Sequence, residues 1–307
     1  MIFARSHQTR IMPARLLLLG MTAASLLAPA AWANGPQYSP FTFSVSSITT
    51  QEAYVGQDQL KRSAYQFGLS AKMPLSRQWS MGASIGYDSL GYRWQSLMRG
   101  APLIANSVNS FNSINRYNLG LSLSYRMDEH WIFLLAPKVQ FAAANTASTS
   151  EAMSYGVVTS AMYRFEDGNI LGLGVAYLND IDEVQTIPYI AVRWQLAENW
   201  QLANPFETGF SGPAGLEVSY QASSDWQFGV GSSRRTQRIL LLDANKQTLQ
   251  IDEWVGFVRA GWELSPKVNI NAYLGYYFGG EMEVNVPAVK LDISNQAGGA
   301  LAFEVKF

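Results

Sequence analysis

Between Tyr117 and Tyr125 the odd positions read Tyr, Leu, Leu, Leu, Tyr, while the even positions from Arg116 to Ser124 read Arg, Asn, Gly, Ser, Ser. Strict alternation sends successive side chains to opposite faces of a strand. One face is therefore bulky and apolar with aromatic ends, and the other is small or polar. Tyr65, Phe67, Leu69 and Ala71 likewise oppose Gln66, Gly68, Ser70 and Lys72. Trp79, Met81, Ala83, Ile85 and Tyr87 oppose Ser80, Gly82, Ser84, Gly86 and Asp88. Leu171, Leu173, Val175 and Tyr177 oppose Gly172, Gly174 and Ala176; Val268, Ile270, Ala272 and Leu274 oppose Asn269, Asn271 and Gly275. Continued along the chain, the pattern predicts about fourteen strands. The stretch after Trp200 is weak and is interrupted by Pro205, and twelve strands follow if 187–204 pairs poorly.

The connections are of two kinds. Six are tight, with an apolar or aromatic residue followed six positions on by a partner: Met73 to Trp79, Tyr125 to Trp131, Tyr163 to Asn169, Trp194 to Trp200, Tyr220 to Trp226 and Trp262 to Val268. Seven longer ones, near 49–62, 89–113, 143–152, 178–186, 203–213, 236–250 and 279–297, alternate with them. Short turns at one end and long loops at the other, with an even strand count, predict an all-β fold: a transmembrane antiparallel up-and-down β-barrel. Both termini then fall at the turn end, the periplasmic side of such a barrel. Trp79, Trp131, Trp194, Trp200, Trp226 and Trp262 form an aromatic girdle there. The soluble alternative, a β-sandwich or lipocalin-like barrel, would turn the bulky face inward and require a wide cavity to hold it.

Composition narrows the choice. The 307-residue chain has no Cys, which excludes a disulfide framework, thiol chemistry, Cys-ligated metals and a lipidated N-terminal Cys. Arg5, Arg10 and Arg15 are the only charged residues before position 34; the remainder carries 19 basic against 23 acidic residues, a net charge of −4. A mildly acidic chain without a basic block argues against a nucleic-acid partner. The three arginines, the apolar run LLLLGMTAASLLAPA at 16–30 and Ala31-Trp32-Ala33 read as a secretory signal, 1–33, ahead of a barrel at 34–307. Met12 is an alternative start. The apolar run is shorter than the roughly 20 residues a spanning helix needs.

The chain ends in LAFEVKF, with Leu301, Phe303, Val305 and Phe307 on one face. This resembles the C-terminal signature of Gram-negative outer-membrane barrels. The resemblance implies that Phe303, Val305 and Phe307 are read by the barrel-assembly machinery. The stretch from Leu216 to Gly280, with SYQASSDWQFGVGSSRRTQRILLLDANKQ and GFVRAGWELSPKVNINAYLGYYFGGE, resembles a family of proteobacterial outer-membrane proteins of unknown function. That likeness covers about the last third of the chain. It implies a fold and an outer-membrane location, with lipid and lipopolysaccharide as surroundings, and it carries no active site.

Candidate chemistry is sparse. Barrel enzymes of the protease, phospholipase and deacylase kinds use a His at the outer rim as base. The two His here are His7, in the signal segment, and His130, in the MDEH turn at the other end. A Ser–His–Asp arrangement has no base to build with, and no enzyme activity is expected. Asp88, Asp180, Asp182 and Glu183 sit near strand ends; the last three lack the Gly and distal Glu of a calcium loop. No metal or cofactor is expected. Arg234, Arg235 and Arg238 would suit lipopolysaccharide phosphates, but alternation sends Arg235 to the face opposite the other two.

On the inward face, alternation places Arg116, Lys138, Arg164, Arg193, Glu217, Arg259, Glu304 and Lys306. Ionisable groups at membrane depth face water or one another, so these are the candidate lumen-lining residues. The basic excess gives an open pore a mild anion preference. Two functions fit: a channel or passive transporter for a small solute, or a closed barrel with a structural or surface-interaction role through its loops. The partly apolar 89–113 loop either folds inward as a constriction or lies over the rim.

Overall fold

The computed structural model describes residues 39–96, 111–181, 183–204, 210–212 and 214–307; the expected signal segment and the start at Asn34 lie outside them. In chain order the strands are β1 (Phe41–Val55), β2 (Asp58–Pro74), β3 (Trp79–Ser96), β4 (Ser113–Arg126), β5 (Trp131–Ala144), β6 (Met153–Arg164), β7 (Ile170–Asp180), β8 (Glu183–Ala197), β9 (Trp200–Ala203), β10 (Ala214–Gln221), β11 (Trp226–Leu242), β12 (Gln247–Ser265), β13 (Val268–Val284), β14 (Val289–Ile293) and β15 (Gln296–Lys306). Each strand from β1 to β13 pairs antiparallel with the next, and β15 closes the ring between β13 and β1. β14 pairs with the same two neighbours nearer the loop end, so β14 and β15 are two stretches of one wall strand. The result is a closed antiparallel barrel of fourteen strands. The twelve-strand alternative fails because β8 pairs with β7 from Glu183 to Arg193. The expected interruption at Pro205 lies outside the described residues; ahead of it β9 has four residues.

The tight turns are built by side chains that satisfy the backbone. Asp128 Oδ1 accepts from the N–H of His130 (2.8 Å) and of Trp131 (2.7 Å). Ser76 Oγ does the same for Gln78 and Trp79, and Ser223 Oγ for Asp225 and Trp226. A short acceptor three residues before the Trp thus fixes the entry of the next strand.

The outward face is apolar and uncovered. Leu119 and Leu121 are each 53% exposed, Leu274 69% and Leu173 71%. A continuous belt of this kind suits hydrocarbon, since soluble proteins rarely present so large an apolar surface to water. Aromatics bracket it. Trp226 stacks on Trp262 at 5.6 Å, and Trp79 lies 4.5 Å from Tyr125 at the turn end. Tyr65, Tyr87, Tyr117, Tyr155, Tyr177, Trp254 and Tyr276 mark the other edge, all exposed except half-buried Tyr87. On four strands the two edges are eight residues apart: Trp79 and Tyr87, Tyr125 and Tyr117, Tyr163 and Tyr155, Trp262 and Trp254. Eight residues rise about 26 Å along a strand, or roughly 20 Å along the axis at the usual tilt, near the height of an outer-membrane apolar band.

Beyond the second edge the structure departs from expectation. Several of the expected loops are largely strand: β1 and β2 meet at Gly56–Gln57, and β11 and β12 are separated only by 243–246. Here the alternation inverts. Leu90, Tyr92 and Trp94 share the inward face, while Ser89, Gly91 and Arg93 turn outward. Leu249, Ile251 and Val255 are buried inside while Gln250 and Asp252 face out.

Ring size explains the inversion. Leu240 of β11 pairs in parallel with Ala143 of β5. Thr146 Oγ1 donates to the Leu241 carbonyl at 2.6 Å, and the Ser148 N–H donates to Asp243 at 2.8 Å. Among the described residues β6 to β10 stop below this seam, and nine strands, β1–β5 and β11–β14, continue upward. A ring of about eight strands is just wide enough for its own side chains to fill. The nine-stranded cap is filled in this way by Leu60, Leu90, Ile114, Ile239, Ile251, Met282 and their neighbours. Phe111 and Phe210, from the two interstrand segments 97–112 and 204–213, are buried in the same core. Of the 89–113 loop, 97–110 lies outside the described residues; its end folds inward, with Phe111 5.3 Å from Tyr92 and 5.9 Å from Trp94.

Candidate functional site

The upper interior is the apolar cap core. Beneath it lies an ionic floor. Arg62 of β2 gives a two-pronged bond to Glu253 of β12, at 3.0 and 2.7 Å. Arg235 of β11 lies 3.8 Å from the same carboxylate and donates to the Tyr277 hydroxyl at 3.1 Å. Both guanidinium groups also lie over the Tyr277 ring, at 5.4 and 5.6 Å, an arrangement favoured by the ring quadrupole. Paired forks of this kind are strong where water is excluded.

Below the floor the wall carries ion pairs. Arg116 Nε donates to Asp88 at 2.6 Å across β4 and β3. Arg259 of β12 reaches Glu217 of β10 at 2.5 Å, with side-chain exposures of 3% and 4%. It also donates to Gln227 (2.7 Å) and Asn271 (3.0 Å). The reach over β11 requires Gly229, where a Cβ would collide with the Glu217 carboxylate. Arg116, Glu217 and Arg259 thus face inward as alternation predicts, but their charges are neutralised locally.

Elsewhere below the floor the inner wall is more open. Lys138 is exposed on the inward face of β5, in register with Gly120 and Gly156. Arg164 and Arg193 are exposed and lie on one hydrogen-bonded row: Arg164 pairs with Ile170, and Ile170 with Arg193. Neither makes an ion pair among the described residues. Glu304 and Lys306 form a pair at 3.5 Å near the C-terminus. Beyond the two arginines the inner wall of β5 to β8 is largely apolar, with Leu134 and Ala136, Val158 and Met162, Gly172 to Ala176, Ile187 and Tyr189, interrupted by buried Ser160 and bounded by Lys138. Tyr189 lies against Gly174 so closely that no side chain fits there.

Among the described residues, β9 joins β8 to β10 from Trp200 to Ala203. Asn204 then bridges both sides, accepting from the Val192 N–H (2.9 Å) and donating to the carbonyls of Ile190 (3.0 Å) and Gly215 (3.1 Å). Above it, the β8 edge from Glu183 to Tyr189 has no ladder partner among the described residues. Arg238 of β11 closes the top by bonding to Glu183 and to the Asp180 carbonyl.

The remaining candidates take ordinary places. His130 Nδ1 lies 3.0 Å from the Arg164 carbonyl, with its ring stacked 5.3 Å from Tyr163. Arg234 and Arg238 are engaged outside by Asp252, Glu183 and Gln250, while Arg235 is inside. Asp182 lies outside the described residues. Burial raises the Asp180 carboxyl above its usual range, countered by Ser154. No group of three potential metal ligands occurs among the described residues. Trp79, Trp131, Trp200, Trp226 and Trp262 stand exposed at strand ends, and half-buried Trp194 lies 5.3 Å from Phe165. Phe303 and Phe307 are exposed, with Val305 half-buried.

Arg62, Glu253, Tyr277, Phe111 and Phe210 were missed by the sequence reading. The available signal was Leu90-x-Tyr92-x-Trp94, large residues continuing the parity of Gly86 and Asp88.

No family model matches the chain, and no curated protein does. Among solved structures it is similar to an outer-membrane channel of Pseudomonas putida F1, at 11% identity over 92% of this chain and 100% of that one, TM-score 0.49. It is similar to the toluene transporter TodX of Pseudomonas putida, at 12% identity over 93% of both chains, TM-score 0.47. It is also similar to the translocator domain of the autotransporter NalP of Neisseria meningitidis, at 11% identity over 96% of both chains, TM-score 0.36. At these scores the likenesses assign no function.

Proposed function

We propose that this chain is an outer-membrane passive transporter for small solutes, exported by its N-terminal signal and inserted with its tight turns in the periplasm. The apolar belt and its two aromatic edges support the location. Outer-membrane lipid, lipopolysaccharide and the barrel-assembly machinery are the partners such a location brings. One observation carries the function: below a closed cap, inward-facing Lys138, Arg193, Ser70 and Ile187 remain exposed. A purely structural barrel has no need of an accessible interior facing one side of the membrane.

The test is solute equilibration across proteoliposomes, using labelled solutes graded from sugars to alkyl carboxylates. Protein-dependent acceleration of any one is the expected result. Acceleration of none overturns the reading in favour of a closed barrel that acts through its surface, which the rigid cap with its outward Arg93, Asp252 and Lys290 would serve. No catalytic reading is favoured: the described His sits in a turn, and Asp88, Glu217 and Glu253 are engaged by arginine.

A further inference from the structure

We propose that the outer face of the cap over β2 and β3 holds a phosphate of lipopolysaccharide, the phosphorylated glycolipid of the outer leaflet, between Lys61 and Arg93. This rests on the outer-membrane location given above and not on transport. Height is the first argument. Tyr87 of the upper aromatic edge pairs with Phe67, and Ser89–Tyr65, Gly91–Ser63 and Arg93–Lys61 follow above it at successive outward positions. Lys61 thus lies four residues beyond Tyr65, about 13 Å along the strand and roughly 10 Å along the axis at the usual tilt. Long basic stems bend back toward an apolar surface. That brings both charges to the head-group layer, about 5–8 Å deep on each side of a bilayer.

The two cations are unspent. Lys61 is half-buried and Arg93 exposed. Neither side chain makes an ion pair or hydrogen bond among the described residues. They line one recess with Thr49, Ser63 and Gly91. A Cβ at Gly91 would lie 2.7 Å from Ser63 Oγ, so the glycine keeps that hydroxyl open to a ligand. Trp94 lines the recess as well, and its buried indole N–H has no partner. Guanidinium, ammonium and two hydroxyls all donate, which is what phosphate oxygens accept. Below the recess, Tyr65, Phe67 and Leu69 are exposed on the same face. A ligand held by its phosphate can lay its acyl chains along them, which favours a lipid over a free anion.

The opposite side of the cap lacks these properties. Arg234 is engaged by Asp252 at 3.4 Å and Lys290 by Glu281 at 2.9 Å. Asp252, Glu281 and Asp292 stand side by side in one row, and their charge repels phosphate. Arg234 and Arg238, cations that the sequence offers for this role, belong to that side and are engaged there. Near the proposed site, Glu52 opposes Lys61 in register but makes no ion pair with it, so it weakens the site without filling it.

The test uses the full barrel in phosphatidylcholine nanodiscs, with bound lipid counted by native mass spectrometry. The probe is lipid A, the anchor of lipopolysaccharide, with its phosphates or stripped of them. At about 0.15 M salt, distant charges are screened. Lys61→Glu/Arg93→Glu should then weaken binding of the phosphorylated form by about ten-fold or more. Glu52→Gln should strengthen it, and Arg234→Glu/Lys290→Glu should leave it unchanged. Stripped lipid A should bind weakly to every variant. Equal weakening by the two double variants overturns the site. Phosphatidylglycerol bound as well as lipid A overturns the glycolipid, and displacement by inorganic phosphate overturns the lipid in favour of a free anion. The heat-induced gel shift reports that each variant is folded. A folded barrel that fails to enter the discs overturns the membrane location itself; one that enters without this preference overturns the phosphate site alone.

Discussion

Arg62 and Glu253 meet inside the barrel although β2 and β12 are four strands apart around the wall. Their bond therefore crosses the lumen, and it braces the base of the cap. Glu253 is 3% exposed and is the carboxylate between Arg62 and Arg235. Removing one member of a buried ionic group leaves an uncompensated charge, at about 3–5 kcal/mol. Glu253→Ala should lower the urea midpoint of the folded barrel accordingly, and Arg62→Met/Glu253→Leu should lie closer to wild type. A Glu253→Ala protein as stable as wild type would show that the floor is not a structural element.

The cap closes on Phe111 and Phe210, both fully buried. Phe210 lies 5.6 Å from Tyr273 and 5.5 Å from Tyr277, and covers Gly275 at a distance where a Cβ would clash. In planar bilayers the native barrel should pass little current in KCl. Phe111→Ala/Phe210→Ala, which removes two large cores of packing, should bring discrete steps. Large steps from the native protein would mean that the axis is open.

The belt, the turns and the strand count were legible because each follows a local rule. Alternation marks the strands, a Ser or Asp acceptor before Trp marks the turn, and aromatics mark the edges. The cap was not legible for a physical reason. It depends on the parallel contact of Leu240 with Ala143, ninety-seven residues apart in sequence, which no local pattern encodes. Once that seam reduces the ring to nine strands, Leu90, Tyr92 and Trp94 have to point inward on the very parity that carries Gly86 and Asp88 lower down. The ion pairs escaped for a related reason: alternation gives the face of Arg259 but not the carboxylate two strands away, made reachable by Gly229.

The two faces of β4 give a direct test of orientation. Leu121→Arg places a charge in the middle of the lipid-facing belt, at about 2–4 kcal/mol. Ser122→Arg, one residue on, faces the interior and should cost far less. Comparable destabilisation by both, read from urea unfolding in lipid vesicles, would contradict the assignment of faces.

The MDEH turn should give acid sensitivity. The backbone N–H groups of Trp131 and His130 hold the Asp128 carboxyl below the usual carboxylate range. A carboxylate lowered on folding stabilises fully above its unfolded value, and that contribution is lost as pH falls through the folded value. Asp128→Ala should therefore lower the temperature of the folded-to-unfolded gel shift at neutral pH and narrow its gap to wild type in strong acid. A gap independent of pH would mean that the charge of Asp128 plays no part.

Phe307 occupies the closing seam. Its ring stacks on Phe41 at 5.7 Å, and the two residues exchange backbone hydrogen bonds at 3.1 and 3.0 Å. Phe307 is thus part of the ladder that closes the ring, β15 on β1, as well as the expected signal for assembly. The two roles separate by where folding takes place. Deletion of Phe307 should reduce the folded barrel recovered from cell envelopes several-fold while purified protein still refolds in detergent, because a single terminal pair is a small part of the β1–β15 ladder. An equal loss in detergent would assign Phe307 to seam closure alone; unchanged recovery from envelopes would remove it as an assembly signal.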